Sequence, residues 1–345
     1  MLRRNALLLV GLAVLPFSRS SAPAQTPPSA ADPASLLDSA RQKNGLNGPD
    51  VRPWHIHGNY KLYDDKGKIE DEGVYEEWWL SPTKYKVSFA SPHFAQTDYA
   101  IGDALLRDGA QEWANGFEYA LREQLISPLP LAPELTDFHL EMQTNKTNMR
   151  CVSMVYPIRP GVRISGDFFP VACFEPAAPI LRVGSLGNSR NTIYNQLVSF
   201  EGHYVAKQLQ VVQSGKLRAE LDVDTVESWN DRADSALSPP STAKLVNLAA
   251  ISFPESSSQA FPMALRKAIP EYPQVAKSMR IVGTVRVRTS VSANGHVSST
   301  KVIDGPPYLR QAAEDAVKQW IYRPPMLLGA PRPFEAEVKV IFNLG

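Results

Sequence analysis

The sequence predicts an α+β protein, in which an open, curved antiparallel sheet with a helical lid precedes a small three-stranded β-β-α-β domain. Strand-like runs of alternating apolar residues recur from Trp54 to Val226 and are interrupted by one helical segment. A linker rich in Pro and Ser follows at 234–262. Beyond it, a hairpin turn, an amphipathic helix and a final strand follow in close succession, which indicates a second, compact unit.

Length and composition favour a globular protein with two domains. The chain has 345 residues, and domains commonly contain about 100–200 residues. Hydrophobic residues make up 43% and charged residues 21%, which argues against both a disordered chain and one embedded in a membrane. The net charge of +1 gives no reason to expect nucleic acid as a partner.

Charge is divided unevenly along the chain. From Glu255 onward there are 12 Lys and Arg against 7 Asp and Glu, whereas Gln25 to Phe253 carries 21 basic and 28 acidic residues. Two segments of opposite sign are a clue to a partner, although solvated surfaces of either sign are common.

The N-terminus predicts export. Arg3-Arg4 precede an apolar run at 6–17, and Ala22-Pro23-Ala24 offers small residues for signal-peptide cleavage. The run is shorter than the roughly 20 residues of a membrane span. We therefore expect a signal peptide at 1–24, a flexible tail at 25–34 and a periplasmic mature protein. An uncleaved anchor in the inner membrane is the alternative.

The chain contains two cysteines, Cys151 and Cys173. In an oxidising compartment such a pair most often forms a disulfide, and closing this loop would stabilise the fold by about 3 kcal/mol in the chain-entropy model. The alternative is two buried thiols. The spacing excludes a redox C-x-x-C motif.

The first domain is predicted over 35–233. A helix over 35–43 precedes a strand in which Trp54, Ile56 and Tyr60 alternate with polar residues. A second helix is predicted over 115–126, where Ser127-Pro128 ends it. Further strands are predicted over 74–80, 84–89, 138–142, 150–156, 169–174, 193–200, 204–212 and 217–226. Within the linker, the apolar stretch at 245–253 could dock as a strand.

The second domain is predicted over 263–345. A short helical segment at 275–279 leads to a strand at 285–291, and Asn294-Gly295 is a strong two-residue hairpin signal. The returning strand covers 297–303, and a last strand covers 335–344. Between them, six apolar residues form one helix stripe, which Pro324-Pro325 ends: Leu309, Ala312, Ala313, Ala316, Val317 and Trp320. We expect this helix to cover the apolar face of the three strands.

The segment from Pro262 to Leu344 resembles the TonB family C-terminal domain. The motifs that carry the resemblance are Tyr272-Pro273 with Ala276, Gly283-Thr284-Val285, Val291 with Asn294-Gly295-His296-Val297, Ala312-Ala313 with Ala316-Val317, Trp320-Ile321-Tyr322-Arg323-Pro324, Gly329 with Pro331, and Val338-Lys339-Val340-Ile341-Phe342. What the resemblance implies is a periplasmic module that captures an extended peptide of a TonB-dependent outer-membrane receptor, or another envelope protein, at the edge of its sheet.

The last strand is the edge we expect to bind the partner, through Val338, Lys339, Val340, Ile341, Phe342 and Asn343. Pairing with a second copy, giving a homodimer through this domain, stays open. Two departures from the family pattern restrict the prediction to docking, because a TonB energy transducer carries an inner-membrane helix and a long proline-rich spacer. Here the apolar segment is short and a folded domain replaces the spacer.

The strands and helices from Leu36 to Trp229 resemble the LolA-type periplasmic carrier fold, with Glu77-Trp78-Trp79-Leu80-Ser81-Pro82-Thr83-Lys84-Tyr85 as the most suggestive segment. The family implies a concave face that holds lipid or another apolar ligand. Trp54, Tyr60 and Trp78 are the candidate lining residues. A carrier with a TonB-like tethering domain is thus the alternative to a docking protein.

No motif recommends an enzyme or a cofactor. The sequence lacks a GxSxG elbow, an HExxH pair, a Walker loop and a dinucleotide fingerprint. His55 and His57 share one strand face and could ligate a metal, but no carboxylate or third ligand is evident in register, so we expect no metal site.

Overall fold

The computed structural model describes residues 32–48, 50–113, 116–156, 170–185, 190–229, 234–253 and 263–344. The predicted signal peptide lies outside these ranges, as does the predicted tail up to Ala31. The described residues form one compact unit. No helix within them is long and apolar enough to cross a membrane.

A large antiparallel sheet dominates the described part of the chain. Its strands are β1 Trp54–Tyr63, β2 Ile69–Ser81, β3 Lys84–Ala90, β4 Ala95–Ile101, β5 Ala104–Gly109, β6 His139–Thr144, β7 Arg150–Val155, β8 Val171–Phe174, β9 Leu181–Ser185, β10 Arg190–Phe200, β11 His203–Gln213, β12 Lys216–Ser228 and β13 Lys244–Leu245. The order in the sheet is β13-β5-β4-β3-β2-β1-β12-β11-β10-β9-β8-β7-β6. Two meanders therefore meet where β1 pairs with β12.

The period-2 pattern of β1 is confirmed. Trp54, Ile56 and Tyr60 are buried on the inner face of the sheet, whereas His55 and His57 are only half-buried on the outer face. β4, β5 and β9 were not predicted, because their apolar residues alternate less regularly.

Two helices accompany the large sheet. α1, Pro33–Arg41, begins at Asp32, whose side chain accepts a hydrogen bond from Ser35 N at 3.1 Å. α2, Gly116–Ile126, packs near β11 and β12. A lid was expected, yet ten of the eleven residues of α2 are buried. α2 is therefore part of the core.

The C-terminal module contains β14 Ser252–Phe253, β15 Ala264–Arg266, α3 Gln274–Ser278, β16 Gly283–Val291, β17 Val297–Asp304, α4 Pro307–Val317, β18 Ile321–Tyr322, β19 Met326–Leu327, β20 Ala330–Pro331 and β21 Phe334–Phe342. Its main sheet has the order β14-β21-β16-β17. α4 buries Leu309, Ala313, Ala316 and Val317 against it, as the stripe predicted.

The hairpin turn between β16 and β17 requires glycine. Gly295 has φ +84°, and a Cβ built there would lie 2.1 Å from the carbonyl oxygen of Tyr322. The same glycine accepts a hydrogen bond from Tyr322 N at 2.8 Å. The turn is thereby held against β18, a contact that the hairpin signal alone did not indicate.

The expected three-stranded sheet has a fourth strand. β14, from the predicted linker, pairs in parallel with the start of β21 through Ser252 and Phe253, which face Glu335 and Ala336. The apolar stretch docks because Ile251 and Phe253 are each only 1% exposed, and the ring of Phe253 lies 5.8 Å from that of Phe334. The last strand is therefore not the outermost strand over its full length.

The disulfide between Cys151 and Cys173 is confirmed. The two residues face each other across β7 and β8, with their Cα atoms 4.0 Å apart. The crosslink joins neighbouring strands near the β6 end of the large sheet.

Candidate docking edge and seam cavity

β21 presents two different faces. Val338, Val340 and Phe342 are at most 7% exposed, whereas Ile341 is 61% exposed and Lys339 and Asn343 are exposed. The predicted alternation of the six candidate residues is thus present. Exposed apolar side chains of Val282 and Ile303 belong to the same small domain.

One hydrogen bond shows to which side the backbone amides of β21 point. Glu335 N donates to Ile251 O at 2.8 Å, so the amide of residue 335 points away from β16. The register between β16 and β21 is unshifted from Phe334 to Phe342. Because amides alternate in direction along an antiparallel strand, those of Glu337, Lys339 and Ile341 also point away from β16. Among the described residues, no strand pairs with 337–342 on that side.

An ion-pair cluster stiffens the outer face beside this edge. Glu337 accepts hydrogen bonds from Arg288 at 2.6 Å and from Arg286 at 3.0 Å, and Arg286 also reaches Asp304 at 3.2 Å. The hydrogen bond from Arg288 lowers the pKa of the Glu337 carboxyl. The cluster connects β21, β16 and β17, and so holds the candidate edge in place.

Arg323 fastens the C-terminal module to the large-sheet domain. Its guanidinium is 1% exposed and donates to Ser127 O at 3.0 Å, Ser127 Oγ at 3.0 Å and Leu129 O at 3.2 Å. It also pairs with Glu123 at 3.4 Å and Glu134 at 3.3 Å. We call this region, from the end of α2 to Glu134 on one side and Arg323 on the other, the seam.

A second buried pair lies next to the seam. Arg122 donates twice to Glu77, at 2.8 and 2.7 Å, and the hydroxyl of Tyr75 donates to the same carboxylate at 2.6 Å. Glu77 is fully buried, and the attraction of Glu77 raises the pKa of Arg122 against the opposing effect of desolvation. The side chain of Glu77 thus accepts three hydrogen bonds, two from Arg122 and one from Tyr75.

A cavity of about 260 Å³ opens at the seam. Its apolar wall includes Trp79, Tyr85, Ile126 and Leu328, and its polar wall includes Arg122 and Glu123. Leu328 and Met326 come from the C-terminal module, and Trp79 and Tyr85 come from β2 and β3. The cavity is thus built jointly by the two predicted domains.

The structure does not bring the three predicted pocket residues together. Trp54 and Tyr60 are buried in the core, where Trp54 stacks on Trp79 at 5.8 Å. Trp78 lies on the outer face, where its ring stacks on that of His55 at 4.5 Å. The ammonium group of Lys86 makes a cation–π contact with the Trp78 ring. Neighbouring strand residues face opposite ways, and it is Trp79 that lines the seam cavity.

The histidines on β1 have carboxylate neighbours, contrary to the expectation from the sequence. His55 contacts Glu227 and Glu76, each at 3.0 Å, and His57 contacts Asp224 at 3.1 Å. Those partners come from β2 and β12, and the strand patterns alone did not give the register that brings them beside the histidines. Among the described residues, no group of three or more His, Cys, Asp or Glu is arranged to hold a metal ion.

Comparisons with known proteins agree with the resemblance noted for the C-terminal segment. Residues 268–344 match the family model described as Gram-negative bacterial TonB protein C-terminal. Protein TonB of Klebsiella aerogenes is 35% identical over 63 residues, 18% of this chain and 26% of that protein. Protein TonB of Escherichia coli K12 is 31% identical over 78 residues, 22% of this chain and 33% of that protein. The chain thus spans about a quarter to a third of the TonB proteins it matches.

Solved structures overlap the rest of the chain only loosely. The crystal structure of a LolA superfamily protein from Nitrosomonas europaea is 12% identical, covering 61% of this chain and 99% of that chain with a TM-score of 0.38. Residues 268–344, in contrast, are similar in sequence to the C-terminal domain of TonB.

Proposed function

We propose that this protein docks an envelope protein, namely a TonB-dependent outer-membrane receptor, through the edge of its C-terminal sheet. The observation that supports this most strongly is the segment 337–342 of β21, whose alternate amides point away from β16. The match of residues 268–344 to the TonB C-terminal model supports the same assignment.

An extended peptide can add to such an edge as a further strand. Backbone hydrogen bonds would supply affinity, and exposed side chains such as Ile341 would supply preference. Because β14 already pairs with residues 335 and 336, the available edge is short and begins at Glu337. We infer that the partner segment is about six residues long, since strands advance about 3.3 Å per residue and pair one to one.

We infer that the protein acts in the periplasm, where such receptors expose their N-terminal segments. Docking there contributes to TonB-dependent transport. If two copies of the chain pair through this edge, they would block the receptor peptide, so the oligomeric state of the protein is measured in the same test.

Proline substitution tests the edge. Ile341→Pro removes an amide that points away from β16 and leaves the ladder with β16 intact, so it should weaken binding of receptor N-terminal peptides about tenfold or more. Ile341→Ala keeps the backbone amide and removes only the exposed side chain, so it should weaken peptide binding less than Ile341→Pro does. Binding is measured by fluorescence anisotropy on the full chain, together with light scattering for the oligomeric state.

Thr300→Pro is the matched control, because β17 forms the opposite edge of the same sheet. It should leave peptide affinity unchanged. Peptide binding that survives Ile341→Pro in a folded variant would overturn the proposed docking mode. A dimer that disappears with Ile341→Pro, in the absence of any peptide binding, would assign the edge to self-association.

The alternative, a carrier of an apolar ligand, is favoured by the seam cavity rather than by the inner face of the sheet. Four of its lining side chains, Trp79, Tyr85, Ile126 and Leu328, are apolar or aromatic, as in small-molecule sites generally. Native mass spectrometry of protein extracted gently from the periplasm should then show a bound small molecule. An empty protein under these conditions, and after incubation with short-chain lipids, would contradict the carrier function.

A further inference from the structure

The carboxyl group of Glu123, at the seam, lacks a hydrogen-bond donor for one of its oxygen atoms. Glu123 is 8% exposed and lines the cavity, and its buried Oε1 has no hydrogen-bond partner among the described residues. The Nη2 atom of Arg323 lies 3.4 Å from this oxygen, but it already donates to Ser127 Oγ and Leu129 O. By contrast, Glu77 next to it accepts three hydrogen bonds.

The charges around Glu123 do not balance. The charged groups that act on its carboxyl are Arg323 and Arg122 on one side and Glu134 and Glu77 on the other. With Glu123 itself, three carboxylates face two guanidinium groups. Arg41, which also acts on Glu134 and Arg323, is paired with Asp38 and leaves the balance unchanged. Desolvation raises the pKa of Glu123, as expected for a buried carboxyl short of donors.

Apart from Glu123 and Arg122 on the polar wall, much of the cavity lining suits the apolar part of a ligand. Trp79 and Tyr85 provide aromatic faces, and Ile126 and Leu328 provide aliphatic contacts. A volume of about 260 Å³ is slightly below the usual range of about 300–1,000 Å³ for ligand pockets, so the fitting ligand is small. A cation close to these aromatic rings would gain further attraction.

We propose that the seam cavity binds a small primary amine with an apolar body, whose ammonium group donates to Glu123. The ammonium would supply the missing donor and the missing positive charge, and the apolar body would lie against Trp79 and Tyr85. This inference rests on the carrier function proposed above as the alternative, and it names the head group of the ligand.

Three probes of equal chain length separate the head group from the body: hexylamine, hexanol and hexanoate. Isothermal titration calorimetry with the full chain at pH 7 should show that affinity falls in the order hexylamine, hexanol, hexanoate. Hexylamine should bind about tenfold more tightly than hexanol. Glu123→Gln keeps the shape of the side chain and should abolish that preference while hexanol binding stays the same.

A second variant keeps the test decisive if Glu123→Gln unfolds. Met326→Trp fills the cavity from the C-terminal module and spares the contacts of Arg323, so it should abolish binding of both hexylamine and hexanol. Equal affinity for hexylamine and hexanol in the unsubstituted protein would overturn the amine assignment and leave the carrier function standing. If none of the three probes binds, the amine site and the carrier function both fall, and docking at β21 is unaffected.

Discussion

Arg323 shows how one residue can join two parts of a chain. It belongs to the run Trp320-Ile321-Tyr322-Arg323-Pro324, which supports the family resemblance, yet nothing in that run reveals its partners. Glu123 and Glu134 lie about 190–200 positions earlier in the sequence, and only the fold brings them within 3.4 and 3.3 Å. An arginine among buried motif residues is nevertheless a signal, because such a side chain needs carboxylate or carbonyl partners.

Removing the Arg323 guanidinium should be costly. Arg323→Met leaves Glu123 and Glu134 buried without their cation, so the free energy of unfolding should fall by about 3–5 kcal/mol. Arg288→Met is the matched control, because its side chain is 50% exposed and solvent screens its pair with Glu337, so its loss should be much smaller. Urea unfolding followed by circular dichroism measures both. Equal losses would show that Arg323 does not fasten the seam.

At the scale of elements, strong periodicity was the reliable signal. The alternation in β1, the stripe of α4 and the Asn294-Gly295 turn each predicted an element that the structure contains. Elements with a weak pattern were not predicted. β15 and β18, for example, have only two or three residues each and depend on pairing with one another. The position of β14 on β21 depends on burial of Ile251 and Phe253, which a local pattern cannot specify.

The disulfide between β7 and β8 should act on stability and not on docking. Replacing both Cys151 and Cys173 by Ser should lower the free energy of unfolding by up to about 3 kcal/mol, since the reduced unfolded chain gains freedom. Urea unfolding with and without a reductant provides the measurement. The affinity for receptor peptides should be unchanged, because the crosslink lies in the large sheet and the candidate edge lies in β21. An unchanged unfolding midpoint after reduction would refute the stabilising role.

At the scale of the whole molecule, the described residues form one compact unit with a shared core. The linker at 234–262 was predicted from composition, and its described part docks on both sides: β13 joins β5, and β14 joins β21. A segment rich in Pro and Ser indicates where regular strand and helix patterns stop. It does not indicate whether the domains on either side of it pack together. The candidate edge was predictable from the family motifs, whereas the seam and its cavity required the packing of distant segments.

Amide hydrogen exchange of the full chain, with and without receptor N-terminal peptides, tests directly whether a partner docks at β21. We expect slower exchange at Glu337, Lys339 and Ile341 on peptide addition, because these amides point away from β16, with no change at Thr300 on β17. Protection that appears on β17 instead, or peptide binding that leaves β21 exchange unchanged, would contradict docking at this edge.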